Sequence, residues 1–232
     1  MIVSESLNCV FIHIPKTGGS SVRTMLAPAL DLSRDLDIRS RKSVRGTRAA
    51  CGMDPAAAII KHSRLDRLGK LLGPARLTSM FSFAVVRNPF ARAWSALAFV
   101  KRRAVSHADP DVRANCAPYL DMSFDDLASD LPAQARQMRS LLPQVKWVPS
   151  PQSVTHLARL ETLAADWAVI VDKLGIANRV SPAPLHENAS TGHEAWRSMS
   201  PTAAARVVDY YADDFAAFGY DTSTRFVAQG VR

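Results

Sequence analysis

Short apolar runs alternate with segments of helical periodicity along the chain. Residues 8–14 (NCVFIHI) and 81–87 (FSFAVVR) are almost continuously β-branched or aromatic, which is typical of buried strands. After each run, apolar residues recur at helical spacing, in 20–30 and again from Pro89 onward. Strands that alternate with helices predict an α/β fold, with a parallel sheet flanked by helices on both faces.

Weaker patterns predict the remaining elements. A helix follows Ser63, which we expect to be its N-cap, and ends at Gly73-Pro74. The segment 31–56 places arginines among Asp, Ser and Gly with little apolar periodicity, which predicts a solvated loop or, alternatively, a basic flap that faces a substrate. Further predictions are helices at 124–130, 133–142 and 162–174, a strand at 154–160, and one last helix from Ser200 to Gly219.

Length and composition bound the type of protein. The 232 residues show no repeat and no interdomain linker, so we expect one domain over 1–232. No apolar run approaches the roughly 18 residues of a transmembrane helix, and the first ten residues do not resemble a secretory leader. Three scattered cysteines, Cys9, Cys51 and Cys116, do not fit a disulfide framework or a zinc site. Together these features lead us to expect a cytoplasmic protein.

Charge points to an anionic ligand. Lysine and arginine number 29 against 21 acidic residues, which gives a net charge of +8, and 22 of the cations are arginine. Guanidinium groups bind sulfate, phosphate and carboxylate through two parallel hydrogen bonds. A nucleic acid, an anionic membrane, a polyanionic substrate or a phosphorylated cofactor would each fit this charge.

The first chemical motif lies directly after the first apolar run. Residues 11–21 (FIHIPKTGGSS) bring Lys16, two glycines and three hydroxyls between a strand and a helix. Glycines let backbone N–H groups turn toward an anion, and the helix N-terminus adds partial positive charge. We expect an anion site formed by consecutive residues: Lys16, Thr17, Gly18, Gly19, Ser20 and Ser21. The ordinary P-loop pattern is absent, because there the lysine follows the glycines.

The second motif lies where the next strand ends. In 87–95 (RNPFARAWS), Arg87 ends the strand, Asn88 is expected to cap the following helix, and Ser95 lies about two turns into it. Arg92 shares a helix face with Ser95. Because open α/β sheets bind ligands at the carboxyl ends of their strands, Arg87 and Ser95 are candidates for a second phosphate site.

Taken together, the two motifs resemble the PAPS-dependent sulfotransferases, in particular the carbohydrate (sulfotransferase family 2) group that includes the chondroitin and heparan 2-O enzymes. Members of that group carry H-I-P-K-T-G-G-T-S after a strand and R-[DN]-P-x-x-R-x-x-S some seventy residues later; here Arg87 follows Lys16 by 71 residues. The resemblance is dense over 9–21 and 81–99, and thinner through 151–166, 186–190 and 211–220.

The resemblance implies a sulfotransferase fold, the donor PAPS (3′-phosphoadenosine 5′-phosphosulfate) and a hydroxyl acceptor, expected to be a saccharide. Lys16 to Ser21 would hold the 5′-phosphosulfate, and Arg87 with Ser95 the 3′-phosphate. No nucleic-acid partner is expected. Ser20 replaces the usual Thr and keeps the hydroxyl, and Asn88 replaces the commoner Asp.

Removing the acceptor's proton requires a base, and histidine has the appropriate pKa. His62, 25 residues before Arg87, is our candidate, because heparan-type relatives have a catalytic histidine at a comparable place and Lys61-His62 is similar to the local pattern there. Its alternative role is to help cap the following helix. His13 is expected to be structural, and His186 is positioned in a loop from which it could contact cofactor or acceptor. Glu161 is the second candidate base, although in Arg159-Leu-Glu we expect it to pair with an arginine. No cluster has the spacing of a metal site.

Two other functions stay open at this stage. A P-loop kinase or NTPase would share the sheet but would need Mg²⁺ and a lysine after the glycines. A non-catalytic binder of polyanions would use the arginines and the 31–56 segment. In that case, Lys16→Ala would leave the affinity for a heparin-like polymer nearly unchanged.

Overall fold

The computed structural model describes residues 1–39, 44–45, 60–181 and 195–223. The chain forms two compact units. Unit 1 consists of Met1–Arg87 and Gln144–Asn188, and unit 2 of Asn88–Pro143 and Ala189–Arg232. Each unit has its own apolar core and is described by itself. That the chain is a single domain stays a prediction.

Unit 1 contains a six-stranded mixed sheet with the order β4-β3-β1-β2-β5-β6. Strands β2, β5 and β6 are parallel neighbours, with Phe11 opposite Phe83 and Val86 opposite Arg159. Their carboxyl ends therefore lie along one edge of the sheet. The strands are β1 (Ile2–Ser4), β2 (Cys9–Ile12), β3 (Asp35–Ile38), β4 (Val44–Arg45), β5 (Phe81–Val86) and β6 (His156–Arg159).

The predicted parallel sheet is parallel at two of its five strand pairings and antiparallel at the other three. β1 pairs antiparallel with both β2 and β3, and β3 pairs antiparallel with β4. The first two strands form a hairpin whose turn ends at Asn8, in the left-handed region with φ 47°. Asparagine tolerates that conformation better than most residues. Three-residue β1 is too short to show a sequence period.

The predicted loop over 31–56 contains two strands where the structure describes it, β3 and β4. Strand β3 could not be predicted from hydropathy because it contains two buried carboxylates, Asp35 and Asp37. Asp37 forms an ion pair with Arg23 (2.9 Å), and Asp35 accepts hydrogen bonds from the backbone N–H groups of Ser6 and Asp31. Arg23 and Ser6 come from other segments, so the sequence around β3 gives no sign that these acids are buried. Residues 40–43 and 46–59 lie outside the described residues.

Helices pack on one face of this sheet. Core residues of α1 and α8, including Val22 and Trp167, contact the face that carries Phe11 and Phe83.

Ser63 is not the predicted N-cap, because α2 is preceded by Arg64 and the Ser63 hydroxyl donates to the Ile60 carbonyl instead. The helices of unit 1 are α1 (Gly19–Leu26), α2 (Leu65–Leu72), α3 (Pro74–Ser79) and α8 (Leu163–Leu174).

The regular secondary structure among the described residues of unit 2 is helical. The predicted cap of its first helix is confirmed, since Asn88 Oδ1 accepts from the backbone N–H groups of Phe90 and Ala91. The predicted last helix is two helices separated at Tyr211, whose hydroxyl donates to the Leu141 carbonyl (2.6 Å). The helices are α4 (Pro89–Ser106), α5 (Pro110–Cys116), α6 (Phe124–Ser129), α7 (Leu131–Gln137), α9 (Pro201–Tyr210) and α10 (Ala212–Phe218).

Two further observations concern the described residues of both units. Among the described residues no helix has the length and apolar character needed to cross a membrane. Cys9 and Cys116 are buried free thiols, one in each unit, and Cys51 lies outside the described residues.

Candidate functional site

The loop after β2 has the backbone of an anion site. Lys16 (φ 68°) and Gly18 (φ 76°) are both left-handed, and α1 begins at Gly19. Its N-cap residue is Gly18, which has no side chain that could cap the helix. The N–H groups of a helix's first turn have no acceptor within the helix, and they carry partial positive charge. These groups can therefore bind an anion between the loop and α1.

A side chain is disfavoured at both glycines, at Gly18 also by its φ of 76°. A Cβ on Gly18 would lie 2.6 Å from Leu160 Cδ1, and one on Gly19 would lie 2.1 Å from His13 Cδ2. Leu160 directly follows β6, so the ends of β2 and β6 meet at this loop. The backbone is thus held in place by the side chains around it.

The three hydroxyls of the motif differ in their surroundings. Thr17 is fully buried and donates its hydroxyl proton to the Ile14 carbonyl (3.0 Å), so its backbone N–H is the group left for a ligand. Ser21 is buried, and Ser20 is partly exposed. Ser20 is therefore the hydroxyl most accessible to a ligand.

Arg87 joins the second motif to the first. Its Nη1 donates to the Lys16 carbonyl at 3.4 Å. Gln144, which is fully buried, holds the Arg87 backbone on both sides: Oε1 accepts from the Arg87 N–H and Nε2 donates to the Arg87 carbonyl, each at 2.9 Å. The Arg87 guanidinium therefore lies beside the backbone of the loop that carries Lys16.

His62 lies in the turn before α2 and contacts His13, which follows β2. Its Nδ1 is 2.8 Å from the His13 carbonyl, and its own carbonyl accepts from Trp147 Nε1 at 3.0 Å. Because a carbonyl oxygen can only accept, Nδ1 carries the hydrogen, and the neutral ring keeps its lone pair on Nε2. That lone pair is the one a general base needs.

Burial determines the charge of this turn. It lowers the pKa of His62 to about 4, the His13 hydrogen bond opposes this, and the charges of Lys61 and Lys16 lower it further. His62 is thus neutral at pH 7. Burial also lowers the pKa of Lys61, and the neighbouring guanidinium of Arg23 adds to the effect.

The chain that forms this site matches one known protein family. The family model described as "Sulfotransferase family" matches residues 1–221 of the 232. The chain belongs to the sulfotransferase family. Comparison with the curated proteins and with the solved structures finds no match.

Ser95 and Arg92 of the sulfotransferase lie in unit 2, on α4. Ser95 is mostly buried, and its predicted pairing with Arg87 stays a prediction. Arg92 is fully buried and donates to the carbonyls of Ser140 and Leu142, each at 2.7 Å. Both acceptors belong to unit 2, and the buried Asp214 carboxylate lies 3.9 Å from Nη2, which indicates a structural role for Arg92.

Other predicted residues are placed as follows. Glu161, the second candidate base, is exposed. His186 lies outside the described residues. Among the described residues no group of three His, Cys, Asp or Glu side chains could hold a metal ion. The ligand groups of the loop are cations and N–H donors, which suit an anion.

Three residues that support the site could not be predicted from the sequence. Gln144 and Trp147 lie in a stretch with no clear period, and Leu160 appears only as part of a strand end. Nothing local distinguishes a buried Gln from an exposed one, because its function depends on a backbone 57 residues away. His62, in the turn before α2, was a candidate from the sequence only because the resemblance includes Lys61-His62.

Proposed function

We propose that this sulfotransferase moves a sulfuryl group from PAPS to a hydroxyl acceptor. The observation that carries the proposal is the contact of Arg87 with the Lys16 carbonyl, because it brings a second strong anion-binding group to the loop that carries the lysine. A donor with two separated phosphate groups needs two such groups at one edge of the sheet.

The loop fits the phosphosulfate end of the donor. Gly18 is the N-cap residue of α1, and it has no side chain that could bond the N–H groups of the first turn, so a ligand can accept from them. When bound there, PAPS supplies the sulfuryl group and departs as adenosine 3′,5′-bisphosphate. Lys16 would place its charge beside the leaving phosphate, while Arg87 and Ser95 would hold the 3′-phosphate.

His62 is the proposed general base. Its neutral ring with the lone pair on Nε2 can accept the proton of the acceptor hydroxyl as the new oxygen–sulfur bond forms. We propose a carbohydrate acceptor, on the basis of the resemblance to the carbohydrate group and the arginine excess of the chain.

The test compares Lys16→Ala with a matched control, Lys70→Ala. Lys70 is an exposed residue in the last turn of α2, so its loss should change neither binding nor activity. Calorimetry with adenosine 3′,5′-bisphosphate and transfer from ³⁵S-labelled PAPS to a panel of saccharides are the measurements. We expect Lys16→Ala to lower turnover by about 10³-fold while the protein stays folded.

Each other result has a defined meaning. If the folded wild-type protein fails to bind the bisphosphate, the donor assignment is wrong. Mg²⁺-dependent ATP turnover would indicate a kinase or NTPase instead. If Lys16→Ala keeps full affinity for heparin and the wild type shows no transfer, the protein is a polyanion binder.

A further inference from the structure

His13 lies beside the proposed base but has no part in the function proposed above. It follows β2 and is 3 % exposed. Its ring stacks on Phe11 with centroids 5.6 Å apart and meets the His62 ring edge-on at 4.6 Å. Two imidazoles are therefore in direct contact at this edge of the sheet.

The same ring also contacts the start of α1. A Cβ built on Gly19 would lie 2.1 Å from His13 Cδ2 and 2.3 Å from Nε2. The His13 ring thus packs between the first residue of α1 and the ring of His62. One side chain sets the spacing between the anion loop and the base.

The backbone of His13 fixes the form of the base. Its carbonyl accepts from His62 Nδ1 at 2.8 Å, so the hydrogen is on Nδ1 and the lone pair on Nε2. The ring contact and this hydrogen bond come from the same residue. Together they restrict both the orientation and the tautomer of His62.

Burying the polar ring of His13 costs free energy. Nδ1 is buried and has no hydrogen-bond partner among the residues that the structure describes, although an apolar ring would avoid that cost. Burial keeps the pKa of His13 well below its ordinary range, and the nearby His62 lowers it further. The ring is therefore neutral, and it does not repel His62 when that residue accepts a proton.

We infer that His13 is a positioning residue that holds His62, in the tautomer with the free Nε2, at a fixed distance from the anion loop. The inference rests on the proposed role of His62 as the base. It assigns no proton transfer to His13 itself.

A double-mutant cycle tests the inference. His13→Ala and His62→Gln are made singly and together, and kcat is measured with ³⁵S-labelled PAPS. We expect His13→Ala to lower kcat about 10- to 100-fold in the wild-type background and less than about 2-fold in the His62→Gln background. Affinity for adenosine 3′,5′-bisphosphate should change less than about 2-fold, since His13 carries none of the proposed phosphate contacts.

An equal loss of kcat in both backgrounds would overturn the inference, because it would mean that His13 does not act through His62. His107→Ala is the matched control, since His107 lies at the end of α4 in unit 2, where its Nδ1 accepts from the Asp109 N–H. It should leave kcat unchanged.

A second measurement needs neither activity nor a variant. Imidazole ¹⁵N NMR of the wild-type protein should show His62 with hydrogen on Nδ1 and a pKa near 4. Hydrogen on Nε2 would overturn the inference even if His13→Ala failed to fold. Absence of sulfuryl transfer together with the expected NMR result would reject the proposed function and leave the His13–His62 geometry intact.

Discussion

Gly19 begins α1 and has no space for a side chain. The nearest atoms to a Cβ there belong to the His13 ring, which Phe11 and His62 hold on its other sides. Gly69, by contrast, lies inside α2, where a Cβ would meet Leu77 Cδ2 at an ordinary 3.7 Å. The two glycines therefore differ in surroundings and should respond in opposite ways to alanine.

We predict that Gly19→Ala destabilises the protein by about 1–3 kcal/mol, because the added methyl group must displace a packed ring. Gly69→Ala should stabilise it by about 0.5–1 kcal/mol, because alanine loses less backbone entropy in a helix. Urea unfolding measures both. Equal stabilities of Gly19→Ala and the wild type would contradict the contact with His13.

At the residue scale, the sequence predicted the positions of the motif residues better than their roles. Lys16 and Arg87 were found from their places after two strands, and the Arg87 guanidinium does contact the backbone carbonyl of Lys16. Thr17 was expected to offer its hydroxyl proton, but that proton is donated to the Ile14 carbonyl. A motif fixes which residue stands at a position, whereas its hydrogen bonds depend on the surrounding backbone.

At the scale of elements, Gln144 fixes the end of β5. It satisfies both backbone groups of Arg87 from a fully buried position. A buried backbone group without a partner costs about 1–3 kcal/mol, so this one side chain both stabilises the strand end and orients the arginine.

Gln144→Leu should therefore weaken binding of adenosine 3′,5′-bisphosphate about tenfold, as Arg87 loses its fixed backbone. It should also lower the free energy of unfolding by about 1–3 kcal/mol. Calorimetry and urea unfolding are the measurements, with Gln137→Leu as control because Gln137 is exposed at the end of α7. Unchanged affinity in Gln144→Leu would show that Arg87 is held by other groups.

Strong local signals decided which elements could be predicted. The strand at 81–87, the Asn88 cap and the helix ending at Gly175 are confirmed, since a continuous apolar run, a capping side chain and a left-handed glycine are local features. Strand β3 was missed because its buried Asp37 is compensated by Arg23 on another element. Local sequence does not show such distant pairs.

At the scale of the whole chain, each unit contains one described cysteine in its core. Cys9 lies in β2 of unit 1 and Cys116 at the end of α5 in unit 2. Burial raises the pKa of Cys9 to about 12, so this thiol stays protonated and unreactive at pH 8. Each thiol thus reports on the opening of its own unit.

In a Cys51→Ala background, we predict that neither thiol reacts with a disulfide reagent in native buffer except through unfolding. Variants that keep only Cys9 or only Cys116 allow the two units to be followed separately at increasing urea. Native reaction as fast as that of the unfolded chain would contradict the burial of that cysteine.

Whole-chain organisation was only partly predictable. The α/β arrangement appears in the alternation of strands and helices, yet the mixed sheet depends on a hairpin of strands only three and four residues long. The two cores depend on contacts between distant segments, such as Phe90 with Trp196. Periodicity does not encode such contacts.

Lys16 has a left-handed backbone conformation, with a φ of 68°. Glycine adopts this conformation without steric cost, whereas for lysine it costs about 1 kcal/mol of free energy. The loop would therefore be more robust with glycine at this position and, under the proposed function, catalytically dead. Directed evolution of this enzyme for heat tolerance alone would favour that replacement. Any thermostabilisation campaign must consequently score turnover in every round.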